Sequence, residues 1–147
     1  MALGFSTALA NAILNTIGNS GTTQSFFDNA ILEIRTGSKP ATADTAPSGT
    51  STILASITCP ADAMAAAASL AMAKSGTWSD ASADATGTAA HFRIKLSGDL
   101  GTTNTTDKRL DGTITATGGG GDMTLDNTSI AAAQPVVIST FQLTLPA

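Results

Sequence analysis

One histidine, one cysteine and one tryptophan are the residues through which this chain could do chemistry. His91 is the natural candidate for a general base. A base needs a nucleophile and an orienting acid. Asp80, Asp84 and many serines are present, but none stands in a nucleophile motif such as Gly-x-Ser-x-Gly. His91 is therefore read with Arg93 and Lys95 as a basic cluster on the polar side of a strand, solvated or at an interface. Cys59 precedes Pro60 with no cation near it in sequence to lower its pKa, which makes it a free thiol without a catalytic role. Gly118 to Gly121 would cradle a phosphate only ahead of a helix, usually with a Lys. Asp122 and Met123 follow instead, so the glycines are read as a flexible hairpin loop. Asp80 and Asp84 raise calcium, yet no calcium-loop pattern continues from them; aspartates in such places ordinarily cap turns. Trp78 reads as a core or interface anchor in preference to a sugar platform.

Composition narrows the field. The 147 residues suit one domain. Ala, Thr, Ser and Gly make up about half of them, and only 12% are charged, well below the usual share. With one His and one Cys, neither a mononuclear zinc site nor a disulfide framework is expected, and no cofactor. Seven basic against eleven acidic residues argue against charge-driven nucleic-acid binding. No run approaches the roughly 18 to 20 apolar residues of a membrane span. At 42% hydrophobic with little net charge, the chain is not of the disordered type.

The elements that must position these residues are mostly strands. Ser6 to Ile17 is the one helix candidate, with Ser6 as N-cap and Gly18 as stop. Leu9, Ala10, Ile13, Leu14 and Ile17 share one face. Thr7, Asn11, Asn15 and Thr16 make the other face polar without charge, which suits a helix covered on both sides. Strands are expected at Ala30 to Thr36, at Thr52 to Thr58, in the second half of Ala61 to Ala73, at His91 to Lys95, at Gly112 to Thr117, at Met123 to Leu125 and at Val136 to Leu145. Residues 37–50 read as a long connector. In His91 to Lys95 the alternation predicts one buried and one wet face. The fold class expected is all-β: an antiparallel β-sandwich, jelly-roll-like, with a short N-terminal helix. Residues 1–22 form the helix or arm and 23–147 the sandwich. The uncharged helix face predicts an oligomer, with Phe5, Leu9, Ile13, Leu14, Ile17, Phe26, Phe27 and Trp78 as interface candidates.

The stretches ILEIRTGSKPATADTAPSGT (Ile31 to Thr50), SGTWSDASADATGTAAHFRI (Ser75 to Ile94), LDGTITATGGGGDMTLDNTSI (Leu110 to Ile130) and QPVVISTFQLTLP (Gln134 to Pro146) resemble small virion structural proteins of tailed bacteriophages. Within that group the chain is most similar to capsid decoration, or cement, proteins. The resemblance covers most of residues 30–145 and rests on low-complexity text, not on a catalytic signature. It implies a non-enzymatic protein made in the host cytoplasm and seated on the capsid surface as a trimer. There it would clamp neighbouring subunits of the major capsid protein, with neither nucleic acid nor membrane as partner. A tail or fibre component, or a carbohydrate-binding β-sandwich module, is the alternative.

Overall fold

Leu32 and Ile34 alternate with Glu33 and Arg35, and Phe92 and Ile94 alternate with His91, Arg93 and Lys95. Such two-residue periods build a sheet with one apolar and one polar face. The computed structural model, which describes residues 6–18 and 25–145, places these segments side by side. Strands β1 (Ile31–Arg35), β2 (Ile53–Thr58), β3 (Ala71–Ala73), β4 (Ser79–Asp80), β5 (Gly87–Thr88), β6 (His91–Lys95), β7 (Arg109–Ala116), β8 (Met123–Leu125), β9 (Ser129–Ile130), β10 (Val136–Val137) and β11 (Gln142–Thr144) follow one helix, α1 (Thr7–Gly18). The chain is all-β with a short N-terminal helix. The main sheet runs β2-β1-β6-β7-β8, and β10-β4, β11-β3 and β5-β9 form two-stranded ribbons.

The apolar face of the main sheet buries Leu32, Ile34, Ile57, Phe92, Ile94 and Ile114. Phe141 is the hub of the core beneath it. Its ring lies 5.6 Å from Trp78, 5.8 Å from Phe92 and 6.5 Å from Phe27, centroid to centroid, the spacing at which aromatic pairs attract. Phe141 also explains why the expected strand from Val136 to Leu145 is two strands. The segment pairs first with β4 and then with β3, and Phe141 enters the core between them.

Two further expectations change. The glycine loop does not close a hairpin, because β7 and β8 run parallel with Ile114 opposite Met123. Residues 117–122 coil back tightly to bring this about, with Gly118 and Gly120 at φ of 87° and 76°. That left-handed region is open mainly to glycine. The polar face of β6 is not wet: His91 and Arg93 are buried along with Phe92 and Ile94.

Helix α1 is capped as its sequence indicates, Ser6 Oγ accepting the Leu9 N–H at 3.3 Å. Within its polar face the two asparagines turn inward, while Thr7 and Thr16 stay exposed. Ala68 and Ala71 exchange backbone hydrogen bonds around a reversal at Ser69 and Leu70, whose φ values are 52° and 69°. Such a turn ordinarily takes Asn-Gly. Asn11 Oδ1 accepts the Leu70 N–H at 3.0 Å and Asn15 Oδ1 accepts the Ala67 N–H at 2.8 Å. The asparagines that seemed to need a foreign partner thus satisfy a strained hairpin of their own chain, and Leu14 is fully buried beside them.

Phe92 stands directly opposite Gly112 across β6 and β7. A Cβ at Gly112 would lie 2.4 Å from two atoms of that ring. Gly112→Ala is therefore expected to cost about 1–3 kcal/mol of stability by overpacking. Urea unfolding of the variant reads this directly, and an unchanged midpoint would contradict the close approach.

Candidate functional site

With charge so scarce, its location is informative. All the arginines of the chain (Arg35, Arg93, Arg109), its only glutamate (Glu33) and its only histidine lie on the polar face of the main sheet or at its margin. Strand register puts Glu33, Arg93 and Asp111 in one row across β1, β6 and β7, and Arg35, His91 and Thr113 in the next. Glu33 is held between Arg35 and Lys95, each at 2.8 Å. Arg93 meets Asp111 through two bonds, Nε to Oδ1 at 2.8 Å and Nη2 to Oδ2 at 2.7 Å. Arg109 meets Asp99 in the same two-pronged way and also reaches Asp107 at 3.0 Å. Paired forks of this kind are the strong form of the ion pair.

The guanidinium groups bind backbone as well, and this closes the polar face. Arg93 Nη2 donates to the Thr45 carbonyl at 2.7 Å and to that of Ala43 at 3.2 Å. Arg109 Nη1 donates to the carbonyls of Ala43 and Asp44. Asn104 N–H in turn donates to Asp44 O, and Ala46 N–H to Thr103 Oγ1. The connector 37–50 thereby folds back over the sheet and is tied to the loop 97–108. The basic cluster expected to be solvated or interfacial is instead an internal brace. The reason is that the connector supplies carbonyl acceptors and β7 supplies a facing carboxylate.

These pairings set the ionisation of the brace. Arg109, chiefly through its hydrogen bonds, holds the Asp99 carboxyl down at about 2. Burial opposes the charge on Glu33, but Lys95 and Arg35 outweigh it and leave its pKa below the ordinary value. His91 is shifted below 6.5, mainly because burial disfavours its charged form. Its Nδ1 lies 2.9 Å from the Gly37 carbonyl, so Nδ1 carries the hydrogen. His91 Nε2 and Arg93 Nη1 are buried without a partner within the described residues. A general base must come within hydrogen-bond reach of its substrate. At 0% exposure His91 is placed to position the connector, not to meet a substrate.

The other sequence candidates divide. Trp78 is fully buried and donates its indole N–H to Ser75 O at 3.1 Å, so no face remains to stack on a sugar. Asp80 uses both carboxylate oxygens on backbone N–H groups, those of Ser82 and Ser56. Cys59 is free and buried, and burial raises its thiol pKa to about 12. Of the interface candidates, Leu14, Phe27 and Trp78 belong to the chain's own core and leave that set. Phe5 lies outside the described residues. Ile17 and Phe26 are brought together, and Leu9 and Ile13 lead up to them along the helix stripe.

On α1 the spacing of Leu9, Ile13 and Ile17 makes an outward stripe, with Leu9 52% and Ile17 41% exposed. The stripe runs into a groove of about 400 Å³ lined by Ile17, Phe26, Leu110 and Leu143, with Asp107 and Lys108 among its walls. A neighbouring cleft shares Phe26 and Lys108 and is lined mainly by polar groups, with exposed Leu96 on its far side. Sequence reading missed Leu110, because it starts that strand at Gly112, and missed Leu143 as a surface residue because it alternates like a core position.

Family models, curated proteins and solved structures all return no match to this chain. Among the described residues no helix is long and apolar enough to cross a membrane.

Removing one partner of a buried pair leaves the other charge stranded, at a cost of roughly 3–5 kcal/mol. Asp111→Ala is expected to lose stability on that scale in urea unfolding, whereas Asp126→Ala, at an exposed turn, should stay within about 0.5 kcal/mol. The Asp99 carboxylate has its folded pKa depressed from 3.8 to about 2. Its stabilisation is therefore complete above 3.8 and is lost as pH falls through about 2. The stability difference between the natural chain and Asp99→Asn should shrink over that window, and a difference independent of pH would contradict the Arg109 pairing. The Cys59 thiol should resist alkylation at neutral pH in the folded chain and react once urea unfolds it, as read by mass.

Proposed function

We propose that this chain is a structural assembly protein of a virus particle, most nearly a capsid decoration protein that stabilises the shell by clamping neighbouring major capsid subunits. The observation that carries the reading is the Leu9–Ile13–Ile17 stripe leading into the apolar groove of Ile17, Phe26, Leu110 and Leu143, with Asp107, Lys108 and Arg109 at its walls, set on a frame whose long loops are tied down. Exposed apolar area rimmed by polar and charged groups is the signature of a docking surface. The frame suits a static role. The arginines brace loops and the histidine sits beneath one of them, so the surface is left to Thr, Ser and Ala. Small side chains let neighbours approach closely, and scarce charge lowers the desolvation penalty at a buried contact. The resemblance of the sequence to small virion proteins of tailed bacteriophages supplies the particle. The jelly-roll arrangement, the trimeric state and the major capsid protein as partner belong to this same proposal.

Two exposed apolar side chains on one helix offer a direct test. Each Leu or Ile withdrawn from water is worth about 1.5–3 kcal/mol when fully buried. Leu9→Ser combined with Ile17→Ser should leave the urea midpoint of the isolated chain nearly unchanged. The same pair should lower its occupancy on purified particles at least tenfold, as quantified by mass spectrometry of the washed particle. Undiminished occupancy would remove the strip as the docking surface. Particles made without the gene that show the same shell stability and an identical reconstruction would remove the decoration role itself.

A further inference from the structure

His91 differs from every other group in the brace. Arg35, Arg93, Lys95 and Arg109 are matched by Glu33, Asp99, Asp107 and Asp111, so the layer is electrically balanced only while His91 is neutral. Its Nδ1–H is tied to the Gly37 carbonyl, the first residue of the connector after Thr36. Its Nε2 is a bare acceptor, buried and facing no donor among the described residues. We infer that His91 is an acid-operated latch: protonation at Nε2 drives the connector 37–50 off the polar face of the sheet.

The argument is one of solvation and neighbours. A proton on Nε2 creates a buried charged donor with nothing to receive it, and such a group is costly until water reaches it. The charged groups around it do not compensate. From β1, Arg35 stands directly opposite His91 and repels the new charge. Arg93 on the same strand also repels it, and Asp111 on β7 attracts it but is already held by both prongs of Arg93. Glu33 and Lys95 farther along this face are paired to each other. The connector's own charges are Lys39, which acts on Asp122 beside Thr113, and Asp44, whose backbone carbonyl takes Arg109 and Asn104; neither sets the His91 charge. The Gly37 bond survives protonation, since Nδ1 keeps its hydrogen, and it opposes release; burial outweighs it in setting the ring's affinity for the proton. Water reaches Nε2 when the connector lifts, and the carbonyls of Ala43 and Thr45 then leave Arg93.

The sign follows from linkage. The folded pKa lies below the unfolded value of 6.5, so closure is fully favoured above 6.5 and is lost progressively as pH falls below it. The braced carboxylates Asp99 and Glu33 are held below their ordinary values and titrate at lower pH, which separates the two events.

Because the chain has one histidine, a single imidazole resonance reports the latch without assignment. The full chain is titrated from pH 7.5 to 4 by NMR, following that resonance and the backbone amides of Gly37, Thr45 and, as a reference in the sheet, Leu32. The expected result is an imidazole midpoint below 6.5, with the Gly37 and Thr45 amides shifting at the same midpoint and Leu32 unmoved. His91→Gln, which is neutral at all these pH values, should lose the connector step while keeping the neutral-pH spectrum. An imidazole midpoint at or above 6.5, connector amides that do not follow the ring, or the same step in His91→Gln would each overturn the latch. Should His91→Gln not fold, the titration of the natural chain decides alone, through the coincidence of ring and connector midpoints.

Discussion

The bidentate contact between Arg93 and Asp111 is the constraint on which the polar half of this fold rests. It joins β6, the central strand of the main sheet, to its neighbour β7, and the same guanidinium grips Ala43 and Thr45 of the connector. Charges buried without partners are expensive, and a buried pair is favourable only when its remaining hydrogen-bonding capacity is also met. That requirement turns a pair into a network. Arg93 Nη2 takes the connector's carbonyls, which brings the connector across the sheet, though Nη1 stays without a partner among the described residues; Arg109 with Asp99 ties the second loop so that the connector has a floor and a wall. The core is carried by Leu, Ile, Met and aromatic side chains, while about half of the chain is Ala, Thr, Ser and Gly, which bury little apolar area each. Such a chain benefits from polar contacts that specify where long loops go.

The N-terminal helix follows the same logic in a milder form. The Ser69–Leu70 reversal holds two non-glycine residues at positive φ, which is costly and persists only when surrounding contacts enforce it. Asn11 and Asn15 enforce it by accepting hydrogen bonds from the hairpin, and Leu145 N–H adds another to Leu70 O. The helix is short enough to be marginal alone. Helix and hairpin therefore stabilise one another, and this mutual dependence fixes which helix face is inward. Once the asparagines are committed, Leu9 and Ile17 have nowhere to point but out.

Much of the fold was legible because hydrophobic period is a local signal. Leu32 with Ile34, and Phe92 with Ile94, announced the central strands, and Ser6 with Gly18 bracketed the helix. What escaped depended on partners distant in sequence. The alternation in His91 to Lys95 reads as half-wet because Arg and Lys are usually solvated; only a connector some fifty residues away makes that face dry. Asn11 and Asn15 read as an outer face because polar residues usually are, and the hairpin that needs them lies as far along the chain again. The parallel return through the four glycines defied the hairpin reading for a different reason. Glycine permits either path, and the choice is made by Asp122, which accepts bonds from both the N–H and the hydroxyl of Thr113. At the candidate docking strip the sequence supplied Leu9, Ile13, Ile17 and Phe26, but also offered Leu14, Phe27 and Trp78. Apolar identity does not separate a core residue from a surface one.

The balance inside the brace also determines the character of the outside. Since the four cations and four acids of the network cancel, the formal net charge of −4 resides on the remaining residues. Those are Lys39, Lys74 and Lys108 against a larger number of aspartates spread over turns and loops. A modest net charge keeps like molecules apart in solution, but its reach is only about 8 Å at physiological ionic strength. Apolar contact at the proposed Leu9–Ile17–Phe26 surface would act over still shorter distances and gain with every side chain withdrawn from water. On the proposed docking role, repulsion would govern encounters between free copies, and the stripe would act once a complementary surface is in register. At the proposed docking groove the brace reaches the surface: Arg109 and Asp107 stand at the wall already paired to each other, so their charge is partly met before any partner arrives.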